Sequence, residues 1–256
     1  MPAPIRLGSL EVRLARSPRE IGRAQELRYR VFVADGEADP ARRDLDSFDR
    51  HCDHLLAIDH DADGAVVGTY RLLTQDAAAR HGGFYSAGEF EIGPLLARHP
   101  GLRFLELGRS CVLPAYRNRR TLELLWRGIA AYTERDRCDV MFGCASFEGD
   151  EPARFALPLS FLHHHAPAPP AWQVRALPHR RVPMDLCAAD GIDARQALRA
   201  LPPLIRGYLR LGAVVGDGAV IDATLGTTDV LIVLPMANIK QRYYTRFGSR
   251  SVRDAA

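Results

Sequence analysis

Nowhere in this 256-residue chain do about 18 apolar residues run together, the length that a membrane-spanning helix needs. The opening stretch MPAPIRLGSLEVRLARSPRE also lacks the apolar core of a signal peptide, so the expected location is the cytoplasm. Cysteine is sparse: Cys52, Cys111, Cys138, Cys144 and Cys187 are odd in number and show no C-x-x-C spacing. That pattern excludes a disulfide framework and a cysteine-rich zinc site, and the thiols are expected reduced, mostly in the core. Lysine is nearly absent, Lys240 being the one lysine among 34 basic residues. Guanidinium groups suit bidentate contacts with phosphate and carboxylate, so acidic partners fit this bias. A net charge of +3 is too small to point to nucleic acid. No internal repeat is present. With 47% hydrophobic and 25% charged residues the composition is globular, and a single domain over residues 1–256 is expected.

Residues 10–14, LEVRL, alternate apolar and polar side chains as a half-buried strand does. Ser17, Pro18 and Glu20 then supply an N-cap, a first-turn proline and a capping-box glutamate for a helix with Ile21, Ala24, Leu27 and Val31 at helical spacing. The acid-rich stretch 34–53 contains Gly36 and Pro40 and is expected as a loop. LLAID, the turn DADG at 61–64 and AVVGTYRLL predict a β-hairpin. FLELGRSCVL at 104–113 predicts a strand, followed by a helix with Leu122, Leu125, Trp126 and Ile129 buried, and DVMFGCASF at 139–147 a further strand. The proline-rich and histidine-rich stretch 163–183 is expected as an extended excursion. Leu204, Ile205, Tyr208 and Leu209 fit a short helix, with two last strands around Gly226-Thr227. This order points to an α/β fold, a mixed central sheet flanked by helices.

The order also matches the GNAT fold. LRYRVF, LDSFD, GTYRLL and LELGRS resemble the signature blocks of acyl-homoserine-lactone synthases, although Leu105 stands where those enzymes usually carry tryptophan. Over nearly its whole length the chain is more similar to the hemolysin-like GNAT acyltransferases typified by L-ornithine N-alpha-acyltransferase. The blocks that carry this resemblance are ELGRSCVLP, ELLWRGI, FGCASFEG, PLSFLHHHAPAP, PPLIRGYLRLGA and GDGAVID. The resemblance implies an enzyme of ornithine lipid biosynthesis that moves a 3-hydroxyacyl group from acyl carrier protein to the α-amine of L-ornithine, giving a lyso-ornithine lipid. Alternatives are another acceptor such as glutamine, lysine or glycine, an acyl-homoserine lactone as product, or a non-catalytic module that binds carrier protein or membrane.

An amine attacks a thioester only when deprotonated, and a free α-amino group titrates near about 8, so a carboxylate is needed to take its proton. Glu106, midway along the strand that lines the GNAT cleft, is the first candidate, with Arg109 and Ser110 beside it; an ion pair that merely ties the strand is the bland alternative. Strict alternation turns Arg109 away from Glu106, whereas a bulge at Gly108 brings it back. Asp46 and Asp49 suit a cationic amino acid, and equally suit loop capping. Arg28 and Arg71 match arginines that organise this loop in the lactone synthases, and His54 is a reserve candidate for substrate contact.

Coenzyme A-dependent GNAT enzymes wrap a pyrophosphate with an R-x-x-G-x-G/A turn, but this chain reads Arg117-Asn118-Arg119-Arg120-Thr121-Leu122. Bulky side chains there disfavour pyrophosphate and fit the single phosphate of a phosphopantetheine arm together with an acidic carrier protein. The donor-site candidates are thus Val112, Arg117, Arg119, Arg120 and Thr121, with a solvated charge run as the alternative. No other cofactor is implied. His51-Cys52-Asp53-His54 and His163-His164-His165 lack the companions of a zinc site, so no metal is expected. Arg206 and Arg210, one turn apart among apolar residues, allow a peripheral contact with an anionic membrane at the inner face of the inner membrane, with core packing as the alternative.

Overall fold

The structure is a computed structural model that describes residues 3–33 and 42–239. In chain order its elements are β1 (Ile5–Leu7), β2 (Leu10–Leu14), α1 (Pro18–Phe32), β3 (Asp53–Asp59), β4 (Ala65–Thr74), α2 (Gln75–Arg80), α3 (Ile92–Arg98), β5 (Phe104–Val112), α4 (Arg119–Arg135), β6 (Val140–Glu148), α5 (Ala156–His165), β7 (Arg181–Val182), α6 (Ala194–Ala200), α7 (Pro203–Leu211), β8 (Val214–Asp222) and β9 (Thr227–Pro235). They fall into two compact units, one built from residues up to 82 with 105–138, the other from 83–104 with 139–239.

In the first unit β1 to β5 pair in sequence order, every neighbour antiparallel. The register places Val12 opposite Ala57 and Leu14 opposite Leu55 on one face, while Leu56 and Ile58 join Ala24 of α1 on the other. Helix α1 starts as the sequence predicts, since Ser17 accepts from the Glu20 amide. The Glu20 carboxylate, however, bonds the Arg16 amide at 2.6 Å and Arg13 rather than closing a capping box on Ser17. Helix α4 lies on the Val12 face and buries Thr121, Leu124, Leu125, Gly128, Ile129 and Tyr132. Leu122, expected on that face, is instead exposed, because the buried stripe runs one position out of phase through Leu124.

The second unit pairs β6, β9, β8 and β7, again antiparallel. β6 and β9 stay in register from Val140–Pro235 to Glu148–Thr227; β9 is nearly continuous in buried residues, as a strand covered on both faces is, whereas β6 alternates from Cys144 onward. β8 starts at Val214, earlier than GAVID predicts. The three histidines 163–165 do not open the excursion; they form the last turn of α5. Beyond them the chain, broken by a 3-10 turn at Pro170–Trp172, bridges β8 in parallel at Pro167–Val215 and Arg175–Asp217, the second inside the irregularity between Val215 and Ala219. Gly216 is required there, because a Cβ would lie 2.9 Å from the Val174 carbonyl. The expected loop is described from residue 42 and contains a short 3-10 turn, Asp49–His51; its part from 34 to 41, with Gly36 and Pro40, lies outside the described residues, as does Lys240. All five cysteines are free. Among the described residues no helix is long and apolar enough to cross a membrane.

Two helix glycines should respond oppositely to substitution. A Cβ at Gly128 would sit 2.4 Å from Val12 Cγ1 and 3.1 Å from Leu55, whereas one at Gly207 in α7 meets nothing within 4 Å. Gly128→Val should lower unfolding stability by about 1–3 kcal/mol through overpacking. Gly207→Ala should raise it by about 0.5–1 kcal/mol, both read from urea unfolding midpoints.

Candidate active site

Helix α1, the loop after residue 42 and strands β3 to β5 bring seven charged side chains together in the first unit. Arg28, one turn beyond Ala24 on the core stripe of α1, has no exposed surface. Its Nη1 and Nη2 grip Asp49 Oδ1 and Oδ2 at 2.7 and 2.8 Å, its Nε donates to Asp44 Oδ2 at 2.8 Å, and Nη2 also donates to the Asp44 carbonyl at 2.5 Å. Asp49 accepts in addition from the Asp46 amide at 2.9 Å. Asp46 Oδ1 takes Arg71 Nη1 at 2.7 Å and the Phe48 amide at 2.8 Å, while Arg71 lies over the Phe48 ring. Arg109 closes the cluster, 3.3 Å from Asp46 Oδ2 and 3.3 Å from Asp44 Oδ2. Burial pushes the Asp49 carboxyl upward, but its hydrogen bonds and charge pairing with Arg28 outweigh that and hold it below the usual range. Arg28 is held above its ordinary value in the same way, the Asp49 carboxylate outweighing burial.

Strand β5 supplies the reactive candidate. Glu106 stands opposite Leu73, Gly108 opposite Arg71, and His54 opposite Arg71 on the far side, so the register sets Glu106, Arg71 and His54 on one face. Glu106 is 4% exposed. The pairing slips between Thr69 and Arg71, leaving Arg109 and Ser110 together opposite Tyr70. This is a bulge, and in it Arg109 adopts φ +49°. The left-handed turn returns the Arg109 side chain to the Glu106 face, where the alternation rule alone would have turned it away. Ser110 is half-buried within the same bulge.

Neighbouring groups restrict the chemistry. Burial pushes the Cys52 thiol up to about 12; the Arg71 charge opposes this, while Glu106, Asp49 and Asp46 add to it. Cys52 is therefore a protonated thiol at neutral pH and no nucleophile. His54 is 2% exposed, its Nε2–H donates to the Asp49 carbonyl at 2.9 Å, and burial lowers its pKa. Its imidazole is neutral, which leaves Nδ1 as a buried acceptor with no hydrogen-bond partner among the described residues. A carboxylate on a nearly dry sheet face beside a balanced set of arginines and aspartates is equipped to take a proton from an amine.

The donor-site candidates gather at the end of β5 and the start of α4. Arg117 Nε donates to the Val112 carbonyl at 3.1 Å, and Arg120 Nη2 to the Leu7 carbonyl at 2.6 Å. Arg119 is 78% exposed and 4.0 Å from Glu123. Thr121 is fully buried; its amide and hydroxyl both bond Asn118 Oδ1, so it serves the N-cap of α4. Sequence reasoning missed two members of the cluster. Asp44 bridges Arg28 and Arg109, and its signal was available in the D-x-D-x-x-D spacing of 44–49; Cys52 stood out only within His51-Cys52-Asp53-His54, not as a neighbour of Arg71 and Glu106. The histidine motifs hold each other or aromatic rings: His51 stacks on His81, His163 meets His164, and His165 packs on Phe161.

The fold is that of the GNAT acyltransferases, and residues 27–127 match the family model described as an acetyltransferase (GNAT) domain. An N-acyl amino acid synthase from uncultured soil microbes, FeeM, shares the fold with a TM-score of 0.50, covering 92% of this chain and 93% of that one at 12% identity. Far greater likeness is found to L-ornithine N(alpha)-acyltransferase of Rhizobium meliloti (strain 1021), 56% identical over 95% of this chain and 86% of that protein. The enzyme of the same name from Agrobacterium fabrum (strain C58) is 52% identical over 97% of this chain and 88% of its own length. The chain belongs to the L-ornithine N(alpha)-acyltransferase family.

Removing one partner of the buried pair should be costly, because it strands the other charge. Asp49→Asn should lower stability by about 3–5 kcal/mol, whereas Asp46→Asn, at the half-exposed carboxylate, should cost about 1 kcal/mol. The stabilisation from Asp49 is complete above the unfolded-state value of about 3.9 and fades as pH falls through its depressed folded value, so Asp49→Asn should flatten the acid limb of a stability–pH curve.

Proposed function

We propose that this chain transfers a 3-hydroxyacyl group from the thioester of acyl carrier protein to the α-amine of L-ornithine, releasing a lyso-ornithine lipid. The 56% identity to a named L-ornithine N(alpha)-acyltransferase over 95% of the chain is the observation that carries the acceptor. In the reaction Glu106 takes a proton from the ammonium. The freed nitrogen lone pair attacks the thioester carbon, the C–N bond forms and the carbonyl electrons move to oxygen, where backbone amides of β5 stabilise the negative charge. As the C=O bond re-forms the C–S bond breaks, and the leaving sulfur takes up a proton. The products are an amide and a free thiol.

The donor reading is supported by the exposed arginines 117, 119 and 120 around the start of α4, whose first turn holds no acid. A helix N-terminus carrying positive rather than negative side chains suits an anionic partner, here a phosphopantetheine phosphate and an acidic carrier surface. Placement in the cytoplasm with a peripheral contact at an anionic membrane fits residues 194–216, which contain Arg195, Arg199, Arg206 and Arg210 and no acid.

Mass spectrometry of purified protein with 3-hydroxyacyl carrier protein, the matching acyl-coenzyme A and a panel of amino acids tests donor and acceptor together. N-acyl-ornithine that forms only from the carrier thioester is the expected result; transfer from coenzyme A alone, or to a different amino acid, overturns the corresponding half. In the same assay Glu106→Gln should keep the wild-type melting temperature and lose about 10²–10⁴-fold in turnover, and an unimpaired rate would remove Glu106 as the base.

A further inference from the structure

An amino acid acceptor carries a carboxylate beside the amine that reacts, and the charged cluster contains three arginines, of which Arg109 has a buried Nε that makes no hydrogen bond among the described residues. Arg28 and Arg71 bind their aspartates at 2.5–2.8 Å, whereas Arg109 stands 3.3 Å from both Asp44 and Asp46. Each of those aspartates keeps a shorter bond to Arg28 or Arg71, so drawing Arg109 away strands neither of them. Arg109 also occupies φ +49°, a region that costs a residue with a Cβ about 1–2 kcal/mol and glycine nothing. Sheet geometry alone would be better served by glycine, and strain of this kind is retained where a side chain must be aimed. Directly before it, Gly108 leaves room on the Glu106 face: a Cβ there would find no neighbour nearer than Arg71 Nε at 3.8 Å.

We propose that Arg109 is the receptor for the α-carboxylate of the acceptor amino acid, which docks over Gly108 between Arg71 and Arg109 with its amine toward Glu106. This rests on the acyl-transfer reading above. The planar guanidinium fork matches a carboxylate with two parallel hydrogen bonds. The Glu106 charge, on the same face, repels the carboxylate and attracts the ammonium, which fixes the direction in which the acceptor lies. With one carbon between carboxylate and amine, anchoring the first positions the second. Arg109 thus becomes a determinant of specificity for free α-amino acids over simple amines and amides.

The test compares kcat/KM for L-ornithine and L-ornithinamide, in which a neutral carboxamide replaces the carboxylate. Taking the ratio of the two within each variant cancels the different basicity of the amide's amine. Wild-type protein should prefer ornithine; Arg109→Gly should lose roughly 10- to 100-fold in kcat/KM for ornithine, mainly through KM, bringing the ratio near one. Because glycine is at ease at φ +49°, that variant should melt no lower than wild type, and Arg109→Gln, which keeps the bulk without the charge, repeats the comparison. A wild type that acylates both acceptors equally, or a substituted protein that keeps the full preference, overturns the proposal. A wild type that acylates neither overturns instead the reaction on which it rests.

Discussion

A single buried guanidinium organises the site. Arg28 sits on the core stripe of α1, where an apolar side chain would ordinarily pack, and a permanently charged group in that place is tolerable only if its donors are met. Asp49 and Asp44 meet them, and both come from a loop with few backbone bonds of its own. The loop therefore wraps the helix because the arginine requires it. Asp46 is carried to Arg71 by the same wrapping, and from there the ionic pairing passes through Arg109 into β5. Side-chain charge thus ties helix and loop to the two strands, which a backbone ladder already joins to each other.

What β5 adds is direction. Its bulge interrupts the alternation of a nine-residue strand and sets both Glu106 and Arg109 on one face. A regular strand cannot present residues three apart on the same side, so left-handed backbone at Arg109 is the geometric solution. The neighbouring thiol of Cys52 stays protonated, and His54 stays neutral with its ring fixed by the Asp49 carbonyl. Glu106 is the carboxylate that the strand register sets on this face together with Arg71 and His54.

The strands LEVRL, LLAID, FLELGRSCV and VMFGCASF were legible from period and turn residues, and the start of α1 from Ser17 and Pro18, because local chemistry decides them. Leu122 was misplaced because helical period alone cannot say which of two adjacent stripes meets the sheet; the contact of Gly128 with Val12, a tertiary fact, decides it. The histidines at 163–165 were assigned to an extended run because the prolines after them dominate the composition, yet a helix can end at the residue before a proline breaks it. Within the site, Asp46, Asp49, Arg28 and Arg71 stood out in the sequence through resemblance, and their pairing became visible only in three dimensions. The D-x-D-x-x-D spacing marks Asp44 without naming the arginines it bridges, and the capping role of Thr121 appears only in its bonds to Asn118.

The wrapped loop also divides its own residues into two histories. Positions 44, 46 and 49 face inward onto arginines that belong to other elements, while Leu45 and Ser47 between them and Arg50 just after them are exposed. A change at an inward position leaves a guanidinium unmatched far away in the chain, so it survives only alongside a second change that is useless by itself. The outward positions carry no such debt and are free to drift. Over time the loop can exchange its whole outer surface while its inner face stands still.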